Sequence, residues 1–204
     1  MTIMLRRIAA TLFALLMTTA PAWSRLDGIL VEPPATLPAF ALEDHDGRPF
    51  TPAALAGRWT LVAVGYTSCP DVCPFTLANL EAVRAELTTT TTPERLPRVV
   101  FLAVDPARDR PILRDYVRHF HPDFVGVTGG AEAVATLLAG LDAKAIIGTP
   151  DANGAYEVAH SAAVSVVAPD GRLVAKLSPP FDPAGTAAFL TGLIRGVARG
   201  SAAP

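Results

Sequence analysis

Two almost continuous apolar runs constrain the fold of this chain more than any other feature of its sequence. They are Trp59–Tyr66 and Arg98–Val104, and runs of this kind are typical of strands covered on both faces. The first run is followed by a segment with helical spacing of apolar residues, Phe75–Leu87, and the second by a predicted helix at Asp109–Phe120 with Pro111 near its start, a position that proline tolerates. The sequence therefore predicts buried strands that alternate with helices.

The remaining segments complete this pattern. The other predicted elements are a hairpin at Phe40–Phe50 that turns at Asp46-Gly47, a strand at Val125–Val127, a helix at Ala131–Leu141, two strands at Ser161–Ala168 and Arg172–Leu177 around Pro169-Asp170-Gly171, and a helix at Pro183–Ala198. Alternating strands and helices, followed by a hairpin and a final helix, predict an α/β domain of the thioredoxin-like type. We expect a central mixed sheet flanked by helices on both faces.

The N-terminal segment has the pattern of an export signal. Arg6 and Arg7 precede the apolar run Ile8–Thr19, and Ala20-Pro21-Ala22 has the small residues of a signal peptidase site. We interpret residues 1–22 as a signal peptide, and an uncleaved membrane anchor or a buried N-terminal helix are the alternatives. The other expected parts are an extended lead-in at 23–38, the folded domain at 39–198 and a frayed tail at 199–204.

Composition excludes several classes of protein. Of the 204 residues, 50% are hydrophobic and 18% are charged, and the net charge is −2. This apolar content excludes a disordered chain, and the weak negative charge argues against nucleic acid as the main partner. A domain of this size buries enough apolar surface to fold without a stabilising disulfide.

The only two cysteines, Cys69 and Cys73, lie between the first predicted strand and the helix that follows it. Cys73 is expected at the start of this helix, where N–H groups and the helix dipole favour a thiolate, so we predict a lowered pKa for Cys73. Three interpretations of the pair stay open. They are a disulfide that stiffens the fold, a dithiol that exchanges electrons with partner disulfides, and a soft metal site.

A metal site needs a third ligand. Two thiolates suit Cu(I) or zinc, but a closed zinc site needs four ligands, whereas two sulfurs and one nitrogen satisfy Cu(I). Of the four histidines, His160 is the best candidate, because the entry to Ser161–Ala168 is expected at the same end of the sheet as the cysteine turn. His45 is expected to be exposed in a polar turn, and His119 and His121 end a helix whose dipole favours a cationic ring.

The surroundings of His160 favour a metal site over general disulfide exchange. Thioredoxin-type reductases usually carry a proline just before the strand that faces the dithiol. No proline lies between Gly154 and Ala168, and His160 occupies that neighbourhood. A peroxiredoxin-like peroxidase is less favoured, because no activating arginine flanks either cysteine.

Three blocks of the sequence resemble the Sco/SenC family of copper-binding assembly factors for cytochrome c oxidase. Gly65–Pro74 (GYTSCPDVCP) resembles the family block G-[YF]-T-x-C-P-D-[VI]-C-P. Val104–Asp109 (VDPARD) resembles V-D-P-x-R-D, and Tyr156–Ser161 (YEVAHS) resembles Y-x-V-D-H-S. Two positions depart from the pattern, since Ala159 replaces an acidic residue and Arg110 stands where threonine is frequent.

The resemblance implies a thioredoxin-like fold in which Cys69, Cys73 and His160 bind copper. It also implies delivery of copper to the copper-bearing subunit of cytochrome c oxidase or to another copper chaperone. In this family context Asp105 either tunes the site or meets a partner, or it caps the turn before Pro106. Asp71 is either exposed for partner recognition or shapes its turn through an Asx hydrogen bond.

Two functional hypotheses follow. The first is a periplasmic copper chaperone, soluble or tethered to the inner membrane, that binds its metal without catalytic turnover. The alternative is a thiol–disulfide reductase, in which Cys69 and Cys73 form a redox dithiol that reduces the cysteines of a copper-accepting partner.

Overall fold

Strands and helices alternate along residues 28–200, the part of the chain that the computed structural model describes. The strands are β1 (Ile29–Thr36), β2 (Leu42–Asp44), β3 (Pro49–Phe50), β4 (Thr60–Gly65), β5 (Arg98–Ala103), β6 (Val125–Thr128), β7 (Ala145–Ile147), β8 (Val158–His160), β9 (Val164–Val167) and β10 (Arg172–Leu177). The helices are α1 (Pro52–Leu55), α2 (Val72–Thr88), α3 (Pro106–Asp109), α4 (Leu113–Phe120), α5 (Ala131–Gly140) and α6 (Pro183–Gly200), with a 3₁₀ turn at Pro93–Arg95.

Eight of these strands form one mixed sheet in the order β1-β10-β9-β4-β5-β6-β2-β3. At its centre β4, β5 and β6 run parallel, and β9 lies antiparallel to β4 on the other side. The strands β10 and β1 continue the sheet at one edge, and β2 and β3 form a hairpin at the other. The predicted mixed sheet and the hairpin at Phe40–Phe50 are confirmed.

The sheet is buried on both faces, as the apolar runs predict. Along β5 the side chains alternate between two cores, because successive residues of a strand point to opposite faces. Val99 and Phe101 pack in one core with α2 and α6, whereas Val100 and Leu102 pack in the other with α5. The buried, two-faced sheet holds the ends of β4 and β5 in fixed positions.

Helix α2 begins three residues earlier than its apolar spacing predicts. Its buried residues are Cys73, Thr76, Leu77, Leu80, Val83 and Leu87, which form one stripe at helical spacing. Cys73 is therefore the first residue of the stripe that packs on the sheet. Phe75, which the spacing places in the apolar face, is instead 57% exposed.

The predicted helix at Asp109–Phe120 is wrong at its start. The chain forms the short helix α3, breaks at residues 110–112 and resumes as α4. Pro111 has no N–H to donate, so the hydrogen-bond ladder that begins at Pro106 cannot continue through it. The break leaves Asp109 at the end of α3 with its side chain fully buried.

Three further differences concern strands. The predicted strand Ser161–Ala168 begins only at Val164, and His160 belongs instead to β8, which pairs with β7 in a separate two-stranded sheet. Residues 29–36 of the predicted lead-in pair with β10 as an edge strand. Helix α6 continues to Gly200, two residues into the predicted tail. The predicted signal peptide lies outside the described residues.

Across residues 28–200 we find no helix with both the length and the apolar character to cross a membrane.

Gly65 allows α2 to approach the end of β4 closely. A Cβ at this position would lie 2.6 Å from the Cys73 sulfur and 2.7 Å from the Phe101 ring. Real Cβ atoms do not approach other atoms this closely, so any larger residue would push α2 or Phe101 out of place.

We therefore expect Gly65→Ala to lower the free energy of unfolding by about 1–3 kcal/mol, as overpacking of a dense core does. The measurement is chemical denaturation of the reduced protein. Gly192→Ala is the matched control, because a Cβ there meets nothing within 4 Å. Equal stability of Gly65→Ala and the wild-type protein would show that the contact is not tight.

Candidate metal centre

The sheet topology brings two distant segments together at the end of the sheet where β4 stops. Strand β4 ends at Gly65, and β9, which runs the opposite way beside it, begins at Val164 near that same end. The turn that follows β4 carries Cys69, and the residues that precede β9 include His160. The two segments therefore meet although about ninety residues separate them in sequence, as we predicted for the cysteine turn and His160.

The two cysteines occupy different environments. Cys69 lies in the turn before α2, is partly exposed, and its backbone N–H donates to the carbonyl of Tyr66 at 3.2 Å. Cys73 lies in the first turn of α2, is 2% exposed and packs among the sheet residues. Both thiols are free in this structure.

The three predicted ligands form one cluster. The sulfur of Cys73 lies 3.3 Å from Nε2 of His160, and the donor atoms of Cys69, Cys73 and His160 all lie within 4.8 Å of one another. In a trigonal plane, metal bonds of about 2.3 Å to sulfur and 2.0 Å to nitrogen separate the donors by roughly 4 Å. The cluster therefore fits a three-coordinate metal with small adjustments of its side chains.

Hydrogen bonding orients the His160 ring. Its Nδ1 lies 3.1 Å from the backbone carbonyl of Ser161, and because a carbonyl only accepts, Nδ1 donates. The lone pair of the neutral ring then resides on Nε2, the atom that faces Cys73. The ring of Tyr66 meets the imidazole edge-on, with 6.0 Å between centroids, and limits its rotation.

The two thiols have opposite pKa shifts. Burial raises the pKa of Cys73 to about 12, so the predicted lowering for Cys73 is wrong. Burial also acts to raise the pKa of Cys69, but hydrogen bonds from the backbone N–H groups of Asp71 and Cys73 outweigh it and hold that pKa below its ordinary value. The N–H groups that open the helix thus stabilise a thiolate on Cys69.

A buried carboxylate joins the loops behind the cluster. Oδ1 of Asp109 accepts hydrogen bonds from the backbone N–H of Thr67 at 2.7 Å and from its hydroxyl at 2.6 Å. Oδ2 of Asp109 accepts from the backbone N–H of Asp105 at 2.9 Å. The Asp109 side chain therefore fixes the cysteine turn relative to the loop after β5.

Asp105 extends this network towards β8. Its carboxylate accepts hydrogen bonds from Arg108 and from the hydroxyl of Tyr156, the latter at 2.8 Å. The guanidinium of Arg108 stacks on the Tyr156 ring, 3.8 Å from its centroid. Asp105 makes no side-chain capping hydrogen bond, so of the alternatives left open for it, capping is wrong.

The structure also places the other residues that the sequence singles out. Asp71 is exposed and its side chain does not cap α2, so no Asx hydrogen bond shapes the turn. His45 is not exposed as predicted, because its side chain is 6% exposed and its Nδ1 accepts the N–H of Gly126. His119 and His121 lie at the end of α4, outside the metal cluster.

The sequence pattern does not single out Thr67, Asp109 or Tyr156 as parts of the centre. All three lie within the three blocks that resemble the Sco/SenC family, and this was the available signal. Their hydrogen bonds depend on the fold and are not visible in the spacing.

Known proteins share both the sequence and the fold. A model of the SCO1/SenC family matches residues 31–195. A Stutzerimonas stutzeri protein named for copper binding is 32% identical over 175 residues, which cover 85% of this chain and 84% of that protein. The mitochondrial SCO2 homologue of Bos taurus is 38% identical over 135 residues, 65% of this chain. This chain matches 50% of the length of that mitochondrial relative.

Solved structures of Sco proteins are similar to this chain in fold. Bradyrhizobium japonicum ScoI with copper bound has a TM-score of 0.68 and 30% identity, and covers 78% of this chain and 99% of its own. Arabidopsis thaliana ScoI with copper bound has a TM-score of 0.71 and 28% identity, and covers 79% and 99%. BsSco, described as a member of the Sco family of cytochrome c oxidase assembly proteins, has 17% identity and a TM-score of 0.61. Its structure covers 84% of this chain and 98% of its own. At this low identity the likeness shows the fold alone.

The thioredoxin-like fold, with two thiols and an imidazole at one edge of its sheet, defines the class of protein. The chain belongs to the SCO1/SenC family. It is a copper-binding protein of that family, and Cys69, Cys73 and His160 fit the copper site.

The difference between the thiols predicts their reactivity. In the reduced, metal-free protein we expect iodoacetamide to modify Cys69 at least about tenfold faster than Cys73, because the thiolate is the nucleophile and Cys73 is buried. Mass spectrometry of the Cys69→Ser and Cys73→Ser variants gives each rate separately. The denatured variants serve as controls and should react at similar rates. Faster labelling of Cys73 in the folded protein would contradict the described geometry.

Proposed function

We propose that this chain is a periplasmic copper chaperone that binds Cu(I) through Cys69, Cys73 and His160 and delivers it for assembly of the copper centre of cytochrome c oxidase. The observation that carries the proposal is the convergence of the three donor atoms within 4.8 Å of one another. Copper is the cargo of the site in this proposal, and a partner protein receives it.

The donor set favours Cu(I) over other metals. Two sulfurs and one imidazole are soft or intermediate ligands, which suit Cu(I), whereas magnesium and calcium prefer oxygen. Within the part of the chain that the structure describes, no further His, Cys, Asp or Glu joins the cluster. A closed structural zinc site, which takes four protein ligands, is therefore disfavoured.

Exposure of the site supports transfer to another protein. Cys69 is partly exposed, whereas Cys73 lies beneath it, so a partner's ligand reaches the metal from the Cys69 side. Exposed apolar side chains lie on the adjoining elements, with Val72 and Phe75 on the first turn of α2 and Ile146 on β7. Apolar side chains on a surface favour contact with a protein.

The oxidase as destination and the periplasm as location rest on different grounds. The destination is what membership of the family suggests. The location rests on the export signal pattern of residues 1–22, which applies equally to a cleaved signal and to a retained anchor.

A second candidate function is favoured by the state of the thiols. In a reductase, the Cys69 thiolate attacks a partner disulfide and forms a mixed disulfide, and one partner sulfur leaves as a thiolate. Cys73 then loses its proton and attacks Cys69, which releases the second partner thiolate. The products are a Cys69–Cys73 disulfide and a reduced partner that has gained two electrons. The lowered pKa and partial exposure of Cys69 support this role for it.

His160 separates the two functions. We expect His160→Ala to weaken Cu(I) binding more than about 100-fold, because loss of groups that only orient a ligand already costs about 10- to 100-fold. The same variant should still reduce a small disulfide, because sulfur exchange needs only the two thiols. The measurements are an anaerobic Cu(I) titration and a disulfide reduction assay. His119→Ala, an exposed histidine on α4, is the matched control and should bind copper like the wild-type protein.

The same pair of variants tests the role in cells. In copper-limited cells whose only copy of the protein is His160→Ala, the chaperone function predicts low oxidase activity that added copper partly restores. Cells with His119→Ala should be normal. Wild-type oxidase activity with His160→Ala would refute the chaperone function and favour the reductase.

A further inference from the structure

A cavity lies at the end of the sheet opposite the cysteines. The parallel strands β4, β5 and β6 point their carboxyl ends towards the copper site, and their amino ends border a cavity of about 420 Å³. Arg58 precedes β4, Arg98 opens β5, and the turn of the β2–β3 hairpin covers one side. The length of the strands separates this cavity from the metal centre.

Arg98 is the central observation. Its guanidinium is half-buried over the ring of Phe50, at 5.7 Å from the centroid, and Nη2 donates to the carbonyl of Ala54 at 2.6 Å. Among the described residues Arg98 has no carboxylate partner. Its Nε atom is buried and has no hydrogen-bond acceptor among these residues. Even partial burial of a cation without a counter-charge is costly, and a bound anion would supply that charge.

The rest of the cavity adds positive charge. Within residues 28–196 Arg58 and Arg118 form no ion pair, whereas Arg48 pairs with Asp46 and Arg84 pairs with Asp123. The Oδ1 of the third lining carboxylate, Asp44, accepts two backbone N–H groups of its own turn. His45 also lines the cavity and adds no charge, because its Nδ1 accepts the N–H of Gly126.

The balance of these charges defines the ligand. Five arginines face three aspartates in the lining, an excess of two positive charges. Guanidinium groups match the geometry of phosphate oxygens and bind them through paired hydrogen bonds. The volume exceeds that of a phosphate ion and leaves room for a small organic group attached to it.

We propose that this cavity binds a phosphate dianion, either free or as the ester of a small molecule. Arg98 holds the anion from the floor of the cavity, and Arg58 and Arg118 approach it from the rim. Burial of Arg98 lowers its pKa, the charge of Arg58 acts in the same direction, and a bound anion relieves this destabilisation.

The test is calorimetric titration of the full chain with inorganic phosphate at low ionic strength in a phosphate-free buffer. We expect saturable binding of one phosphate per chain, weakened about tenfold by Arg98→Gln and by Arg58→Gln, since each removes a charged hydrogen-bond donor. Arg195→Gln makes the same charge change on an exposed part of α6 and should alter the affinity less than twofold. Cys69→Ser/Cys73→Ser should bind phosphate like the wild-type protein.

A parallel titration with phenyl phosphate distinguishes the two sources of the anion. Tighter binding of the ester than of inorganic phosphate assigns the cavity to a phosphorylated small molecule, and weaker binding assigns it to free phosphate. If a thermal melt shows that Arg98→Gln does not fold, the phosphate affinity of Arg58→Gln, a change at an exposed position, tests the proposal instead. The proposal would be overturned if neither inorganic phosphate nor phenyl phosphate bound saturably. It would also be overturned if Arg195→Gln lost as much affinity as Arg98→Gln and Arg58→Gln.

Discussion

The position of β4 between β5 and β9 is the constraint on which the rest of this structure depends. Every residue of β4 is buried and its side chains pack into the cores on both faces of the sheet, so a shift in its register would exchange the side chains that the two cores receive. Because β5 runs parallel to β4 and β9 runs antiparallel, the end of β4, the end of β5 and the start of β9 lie at the same end of the sheet. The cysteine turn, the loop of Asp105 and the segment of His160 therefore meet there, and the buried Asp109 carboxylate joins the first two.

This arrangement gives the two thiols complementary roles. Cys73 begins the buried stripe of α2, so packing fixes its sulfur, and burial keeps it protonated in the absence of a metal. Cys69 lies where N–H groups stabilise a thiolate and where a partner has access. A soft metal ion supplies the positive charge that a buried Cys73 thiolate requires, which is why copper binding and the low polarity of the Cys73 site are compatible.

Local patterns predicted the features that depend on local physics. Continuous apolar runs marked β4 and β5, and the residue types at Cys69, Cys73 and His160 marked a soft metal site at one edge of the sheet. Two of the failures share a cause, since they depend on contacts between distant segments. The pKa of Cys73 follows from its packing against the sheet, not only from its place at a helix start. The burial of His45 follows from pairing of its hairpin with β6, which the hairpin's polar sequence conceals.

The central claim is that Cys69, Cys73 and His160 together hold Cu(I), and X-ray absorption of the copper-loaded, reduced protein tests it most directly. We expect the copper to have two sulfur neighbours and one nitrogen neighbour, and we expect the nitrogen contribution to disappear in His160→Ala while the two sulfurs remain. A spectrum that His160→Ala leaves unchanged, or one without sulfur neighbours, would contradict the assignment of the metal centre to these three residues.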